Sequence, residues 1–211
     1  MNTSTITTKE KILDAALDQF SINGYNGVSV KQIADKVGIK DSSLYKHFTS
    51  KKEIYDTLMN EMNERFERNV RAYRLPQGDI AKVAKEYGNK DLKMLKNACK
   101  GVFLFLLKDP KASKFRKMLV IEQYKNKDAS NAYKSWFFDS AISYQTELFK
   151  EMIKQGYFKK GSAETIAMQF YSPFYVLLNI YDACPQKEDE AIRRLFEHIE
   201  QFAKMYQTES K

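Results

Sequence analysis

The chain has 211 residues, 43% of them hydrophobic, which is enough for one large domain or for a small one beside a larger one, each with a buried core. A formal net charge of +8 and a pI near 9.2 suit a polyanionic partner, either nucleic acid or an acidic membrane surface. Two cysteines, Cys99 and Cys184, exclude a disulfide framework and a cysteine-built metal site. The opening MNTSTITT lacks the cationic and apolar blocks of a secretion signal, and the longest apolar run, Val102 to Leu107, is far short of the ~20 residues that span a bilayer; the expected location is cytoplasmic, with no membrane partner.

Apolar residues recur at three- and four-residue spacing almost throughout, and no stretch shows sustained alternation, so the predicted class is all-α. Ile12, Leu13, Ala16, Leu17 and Phe20 form the buried stripe of a first helix that closes near Gly24. Ser29-Val30-Lys31-Gln32 fits a capping box and starts a short second helix, with Val30, Ile33, Ala34 and Val37 inward and Gly38 as its stop. Leu44, Tyr45 and Phe48 mark a third short helix. Ser50-Lys51-Lys52-Glu53 is a second capping box, opening a long helix through Ile54, Leu58, Met62 and Phe66 to about Tyr73. Two short helices meeting across a glycine turn, with one helix before and a long one after, have the layout of a helix-turn-helix.

Periodicity lapses at Leu75-Pro76-Gln77-Gly78, which predicts a loop. Beyond it the pattern places helices at about 79–87, 91–108, 111–126, 129–156, 162–183 and 187–207, punctuated by Asp109-Pro110, Gly156, Gly161 and Pro185, with Pro173 expected to bend the penultimate one. Residues 26–52 hold six lysines against Asp35 and Asp41, so cation density coincides with the motif. Residues 91–127 are as basic, with ten Lys/Arg against three acids, and charge alone does not locate a nucleic-acid surface.

The pieces Gly24-Tyr25, Val28-Ser29-Val30, Ile33-Ala34, Val37-Gly38-Ile39, Leu44-Tyr45-Lys46-His47-Phe48 and Ser50-Lys51-Lys52-Glu53 together resemble the DNA-binding domain of the TetR family of bacterial transcriptional regulators, over about residues 9–55. The resemblance implies an N-terminal three-helix DNA-binding domain, residues 1–55, and a C-terminal helical domain, residues 56–211, that binds a small molecule and dimerises. It further implies that Ser29 caps the second helix and meets a phosphate, and that Tyr45 and His47 touch backbone phosphates. Lys51 would serve another phosphate at the head of the long helix, and Lys40, Asp41, Ser42, Ser43 and Lys46 would lie where groove contacts are made.

His47 is read as a phosphate contact within this motif, and His198, with no second ligand at metal spacing, as a structural histidine. Neither a metal nor a cofactor is expected, and no Gly-rich phosphate loop or nucleophile elbow suggests an enzyme. Trp136, Phe137, Phe138, Tyr144 and Phe149 cover more than one face of a helix that is either central in a bundle or lines a cavity. The candidate ligand set is Phe103, Leu107, Met118, Tyr124, Trp136, Phe137, Tyr144 and Phe170. Polar atoms of Gln123, Tyr124, Tyr133, Gln145 and Asn179 are available to orient a ligand. The last two helices either close the core of one chain or pair across a two-fold axis; for the second case the candidates are Phe174, Leu178, Tyr181, Phe196, Ile199 and Ala203.

The leading expectation is therefore a dimeric, sequence-specific DNA-binding regulator, a repressor released from a palindromic double-stranded operator by a small, largely apolar effector. The alternative is a DNA-bound structural or partner-controlled protein without a small ligand.

Overall fold

The computed structural model describes residues 6–72, 78–88 and 92–208. Eleven α-helices are seen among them: α1 Thr8–Asn23, α2 Val30–Val37, α3 Asp41–Leu44, α4 Lys51–Ala72, α5 Ile80–Gly88, α6 Leu92–Lys108, α7 Pro110–Glu122, α8 Lys127–Lys134, α9 Ser140–Lys154, α10 Ala163–Asp182 and α11 Glu188–Tyr206. The only strand-like pairing among the described residues is an isolated bridge between Phe158 and Gln207. The fold is all-α, with an N-terminal helix-turn-helix and a helical C-terminal region. The expected loop at Leu75, Pro76 and Gln77 lies outside the described residues.

The chain forms two compact units, each discontinuous in sequence: residues 1–68 with 109–133, and residues 69–108 with 134–211. In the first unit α1 packs along α7 and against α2, and α2 packs against α3. Its interior is built from Ile12, Leu13, Ala16, Leu17 and Phe20 of α1, Ile33 and Ala34 of α2, Leu44, Phe48, Ile54 and Leu58, and Phe115, Met118 and Leu119 of α7. Helix α7 is started by Asp109, whose carboxylate accepts from the amides of Lys111 and Ala112 at 3.1 and 3.0 Å. The same carboxylate is gripped by Arg65 of α4 through Nε at 3.0 Å and Nη2 at 2.5 Å. Lys111 pairs with Asp14 at 2.6 Å, and Lys114 and Lys36 both pair with Asp18.

In the second unit α9 packs on α5 and α10, and α6 and α11 both pack on α10. Phe149, Phe158, Phe170 and Phe202 form a ring cluster, with centroids 4.8 to 6.0 Å apart in the contacting pairs. His198 lies against Phe170 and bonds its carbonyl oxygen through Nε2 at 2.8 Å, the structural role expected of it. Burial lowers its pKa, with the Phe170 carbonyl opposing.

The predicted single helix over 129–156 is interrupted. It begins at Lys127, and over Ser135–Asp139 it widens into one π turn, with the Ser140 amide donating to the Ser135 carbonyl. Periodicity cannot reveal this, because the aromatic residues in the turn cover more than one face. The buried Tyr171 hydroxyl of α10 donates to the Phe137 carbonyl oxygen within it. The helix predicted over 111–126 stops at Glu122, and Asn126 starts α8 by accepting from the Asp128 amide at 2.8 Å. Helix α10 runs unbroken through Pro173.

Candidate nucleic-acid interface

Both signals that bracket α2 take the form their residues predict. Ser29 Oγ accepts from the Gln32 amide at 3.2 Å, and Gln32 Oε1 accepts from the Ser29 amide at 2.7 Å. At the other end Gly38 has φ 79° and ψ 33°, a left-handed conformation that favours glycine, and no atom crowds the position its Cβ would take. The Gly38 amide donates to Asp35 at 3.1 Å and the Ile39 amide to Ala34 at 3.0 Å, the paired bonds of a Schellman motif. That turn sets the direction in which α3 leaves.

Helix α3 is a single turn, and no side chain caps it: Lys40 occupies the cap position, where its carbonyl accepts from Ser43 and Leu44. It is held from beneath by Leu44 and Phe48, exposed 0% and 1%. Lys40, Asp41, Ser42, Tyr45, Lys46 and His47 are exposed and Ser43 half-buried, and among the described residues none of these side chains has an intramolecular partner. Two buried apolar anchors thus present a row of free donors and acceptors.

Lys36, Lys51 and Lys52, close to this row in sequence, are occupied. Lys52 pairs with Asp56 at 2.7 Å and Lys36 with Asp18 at 3.0 Å. Lys51 is half-buried, and its ammonium donates to the carbonyls of Tyr25 and Val28 at 2.9 and 2.8 Å, 4.2 Å from the centre of the Tyr25 ring. Burial lowers the Lys51 pKa against an opposing pull from Glu122. This ammonium staples the loop between α1 and α2 to the head of α4, so any phosphate contact by Lys51 falls to its backbone amide rather than its side chain. The capping box at the head of α4 is shifted by one residue. Ser50 Oγ accepts from the Glu53 amide at 3.1 Å, while the Glu53 carboxylate takes the amide and hydroxyl of Thr49 at 2.6 and 2.7 Å.

Glu122, at the end of α7, was not legible as part of this site. It is 1% exposed, and its Oε1 accepts from the Tyr25 amide at 2.8 Å. A Cβ on Gly24 would stand 2.4 Å from the same oxygen, so this approach needs glycine as well as its φ of 74°. Glu122 Oε2 and the Tyr55 hydroxyl are buried with no hydrogen-bond partner. Burial, then the charge of Glu122, pushes the Tyr55 phenol up to about 12. The only sequence signal was a lone acid in a basic stretch.

The ligand candidates divide between the two units. Met118 and Tyr124 belong to the first unit, Met118 buried and Tyr124 86% exposed. Phe103, Leu107, Phe137 and Phe170 are buried in the second unit, Trp136 is half-buried and Tyr144 exposed. Gln145, next to Tyr144, has a buried Oε1 with no donor. The dimer candidates Phe174, Leu178, Tyr181, Ile199 and Ala203 face the interior of their own unit, and Phe196 is half-buried with the Lys96 ammonium 5.4 Å from its ring centre. The apolar side chains that α10 turns outward are Met168, Val176 and Ile180, each more than half exposed.

A capped helix, a Schellman turn and a short helix offering free polar groups define a helix-turn-helix headpiece within an all-helical protein. Residues 12–58, 47 of the 211 residues, match the model of the bacterial regulatory proteins, tetR family. It is 52% identical over 48 residues to the biofilm operon icaADBC HTH-type negative transcriptional regulator IcaR of Staphylococcus aureus, covering 23% of this chain and 26% of that protein. To the Staphylococcus epidermidis regulator of the same name it is 47% identical over 47 residues, 22% of this chain and 25% of that one. The matched stretch therefore spans about a quarter of the length of these curated relatives.

Among solved structures the fold is similar to a SmeT–triclosan complex, with TM-score 0.67 and 16% identity over 96% of this chain and 93% of that one. SmeT is the repressor of the Stenotrophomonas maltophilia multidrug efflux pump SmeDEF. The flavonoid-responsive regulator FrrA matches with TM-score 0.62 and 16% identity, over 96% and 98% of the two chains. A TetR-family transcriptional regulator from Mesorhizobium loti matches with TM-score 0.62 and 17% identity, over 95% and 96%. At these identities the likeness is one of fold.

Proposed function

We propose that the protein is a cytoplasmic, homodimeric, sequence-specific DNA-binding regulator of transcription, acting as a repressor that a small, largely apolar ligand releases from a palindromic operator. The observation that carries this reading is the row Lys40, Asp41, Ser42, Tyr45, Lys46 and His47, exposed and free of partners on a helix pinned by Leu44 and Phe48. Lys40, Ser42 and Ser43 face base edges, while Tyr45, Lys46 and His47 hold phosphates, as does Ser29 beside them. Repression is favoured because the staphylococcal relative is a negative regulator.

Dimerisation is supported by the outward Met168, Val176 and Ile180 of α10, because a single α3 reads too few base pairs for useful specificity. No helix among the described residues is long and apolar enough to cross a membrane. An aromatic effector is favoured by the triclosan complex and the flavonoid response of the similar folds and by the unpartnered acceptor of Gln145 in the second unit. The π turn lies in the same unit, and such turns recur at functional sites. A ligand acts only through its different affinity for the DNA-bound and free states.

Selection from a randomised duplex library by the full-length protein tests the reading. Enrichment of a two-fold repeat, with half-sites about one helical turn (~10 bp) or a multiple apart, is the expected result. A library that emerges unenriched overturns it.

A further inference from the structure

The second basic stretch is sorted by the structure. Lys96 pairs with Glu200, Lys108 with Glu188, Lys111 with Asp14 and Lys114 with Asp18, and Arg116 is buried. Lys125 and Lys127, in the corner between α7 and α8, are exposed and have no partner among the described residues. Between and beside them stand Asn126 and Tyr124, the latter 86% exposed. An aromatic residue left so far in solvent beside two cations contributes little to folding.

Three contacts fix where this corner lies. Glu122 accepts from the Tyr25 amide at 2.8 Å; Ile121 Cγ2 and Lys125 Nζ would stand 3.1 and 3.5 Å from a Cβ on Gly24; and Asp128 acts electrostatically on Lys52 at the head of α4. The corner therefore rests on the loop that leads into Ser29 and beside the first turn of α4, the two places where the headpiece is expected to grip phosphates. The buried Glu122 ties the end of α7 to that loop.

We propose that the Tyr124–Lys127 corner is a second DNA-contacting element, in which Lys125 and Lys127, with the Tyr124 hydroxyl, hold backbone phosphates flanking the half-site read by α3. The element carries no sequence information. It lengthens the footprint of each headpiece and raises affinity for any duplex long enough to reach it. This inference rests on the DNA-binding reading of the helix-turn-helix.

The experiment compares the full-length protein with its K125Q/K127Q and K125R/K127R variants, by titration at several salt concentrations against a duplex selected by the wild type and a random-sequence duplex of equal length. Each phosphate contact contributes about 0.9 to the slope of log affinity in log salt, so K125Q/K127Q is expected to be shallower by roughly 1.8 on both duplexes, with sequence preference unchanged and K125R/K127R like the wild type. On a duplex trimmed to the half-sites, the wild type should fall to the slope of K125Q/K127Q. A wild-type slope in K125Q/K127Q on the long duplex overturns the inference and leaves the reading of α3 standing, as it would if the corner served a protein partner instead. Failure of the wild type to bind either duplex overturns both. Both changed side chains are exposed, and circular dichroism checks that the variants keep the wild-type helicity.

Discussion

The segment 40–47 and the outer face of α10 both offer side chains to solvent, by opposite means. In the first, two apolar residues point in and the polar ones are left free. In the second, Met168, Val176 and Ile180 point out from a helix whose inner stripe, Ile166, Ala167, Phe170, Tyr171, Phe174, Leu177, Leu178 and Tyr181, is already satisfied. A polar surface on a small apolar anchor suits a charged, wet partner and survives alone in water. An apolar surface of this kind calls for another dry one.

The largest expected effect breaks the first surface from beneath. Phe48→Ala removes a fully buried ring and should destabilise the headpiece by about 3–5 kcal/mol, read by denaturant unfolding, with DNA binding lost as well. The outer face of α10 should behave in the contrary way. V176K/I180K is expected to retain its helicity while light scattering reports monomers, and affinity for a two-half-site duplex should fall by on the order of a hundredfold or more as non-specific binding persists. Leu178→Lys, at a fully buried position of the inner stripe, should instead unfold the second unit. If V176K/I180K remained dimeric, the stripe would not be the interface.

Smaller effects sharpen the first surface. Ser42→Ala or Lys40→Ala should alter operator preference by about 1–3 kcal/mol per discriminated base, read by repeating the library selection. Lys46→Ala should make the salt slope shallower by about 0.9 without changing preference. Lys51→Ala should leave that slope nearly unchanged and lower thermal stability, because its ammonium serves Tyr25 and Val28.

The smallest effect is one of pH. Burial raises the Asp109 pKa, but Arg65 and the amides of Ala112 and Lys111 outweigh it and hold the carboxyl below its ordinary value. Below about pH 4 the unfolded chain therefore takes up the proton first. The stabilisation is complete above the unfolded pKa and is lost as pH falls through the folded one. Asp109→Asn should cost on the order of 1 kcal/mol at neutral pH and flatten the acid limb of unfolding.

Sequence by itself determined the helical class, the end of α1, the bounds of α2, the Ser29 cap and the glycine turn, since each depends on residues a few positions apart and on backbone rules that hold wherever the segment sits; of Leu44, Tyr45 and Phe48, expected to mark the third helix, only Leu44 lies in α3. It also singled out Lys40 to His47, because so short a span leaves its polar residues nowhere to be buried. Only tertiary structure decided which lysines are free. Lys51 lies 26 residues from the carbonyl of Tyr25 and Asp18 lies 96 from Lys114, and no local pattern records such pairs. The boundary drawn at residue 55 follows the motif, whereas the compact units follow packing, which brings α7 beside α1. Helix α10 is apolar nearly all round, so its period could not tell Leu178 inside from Val176 and Ile180 outside. That choice was made by what α6, α9 and α11 cover, and a helix with two dry faces takes its orientation from its neighbours.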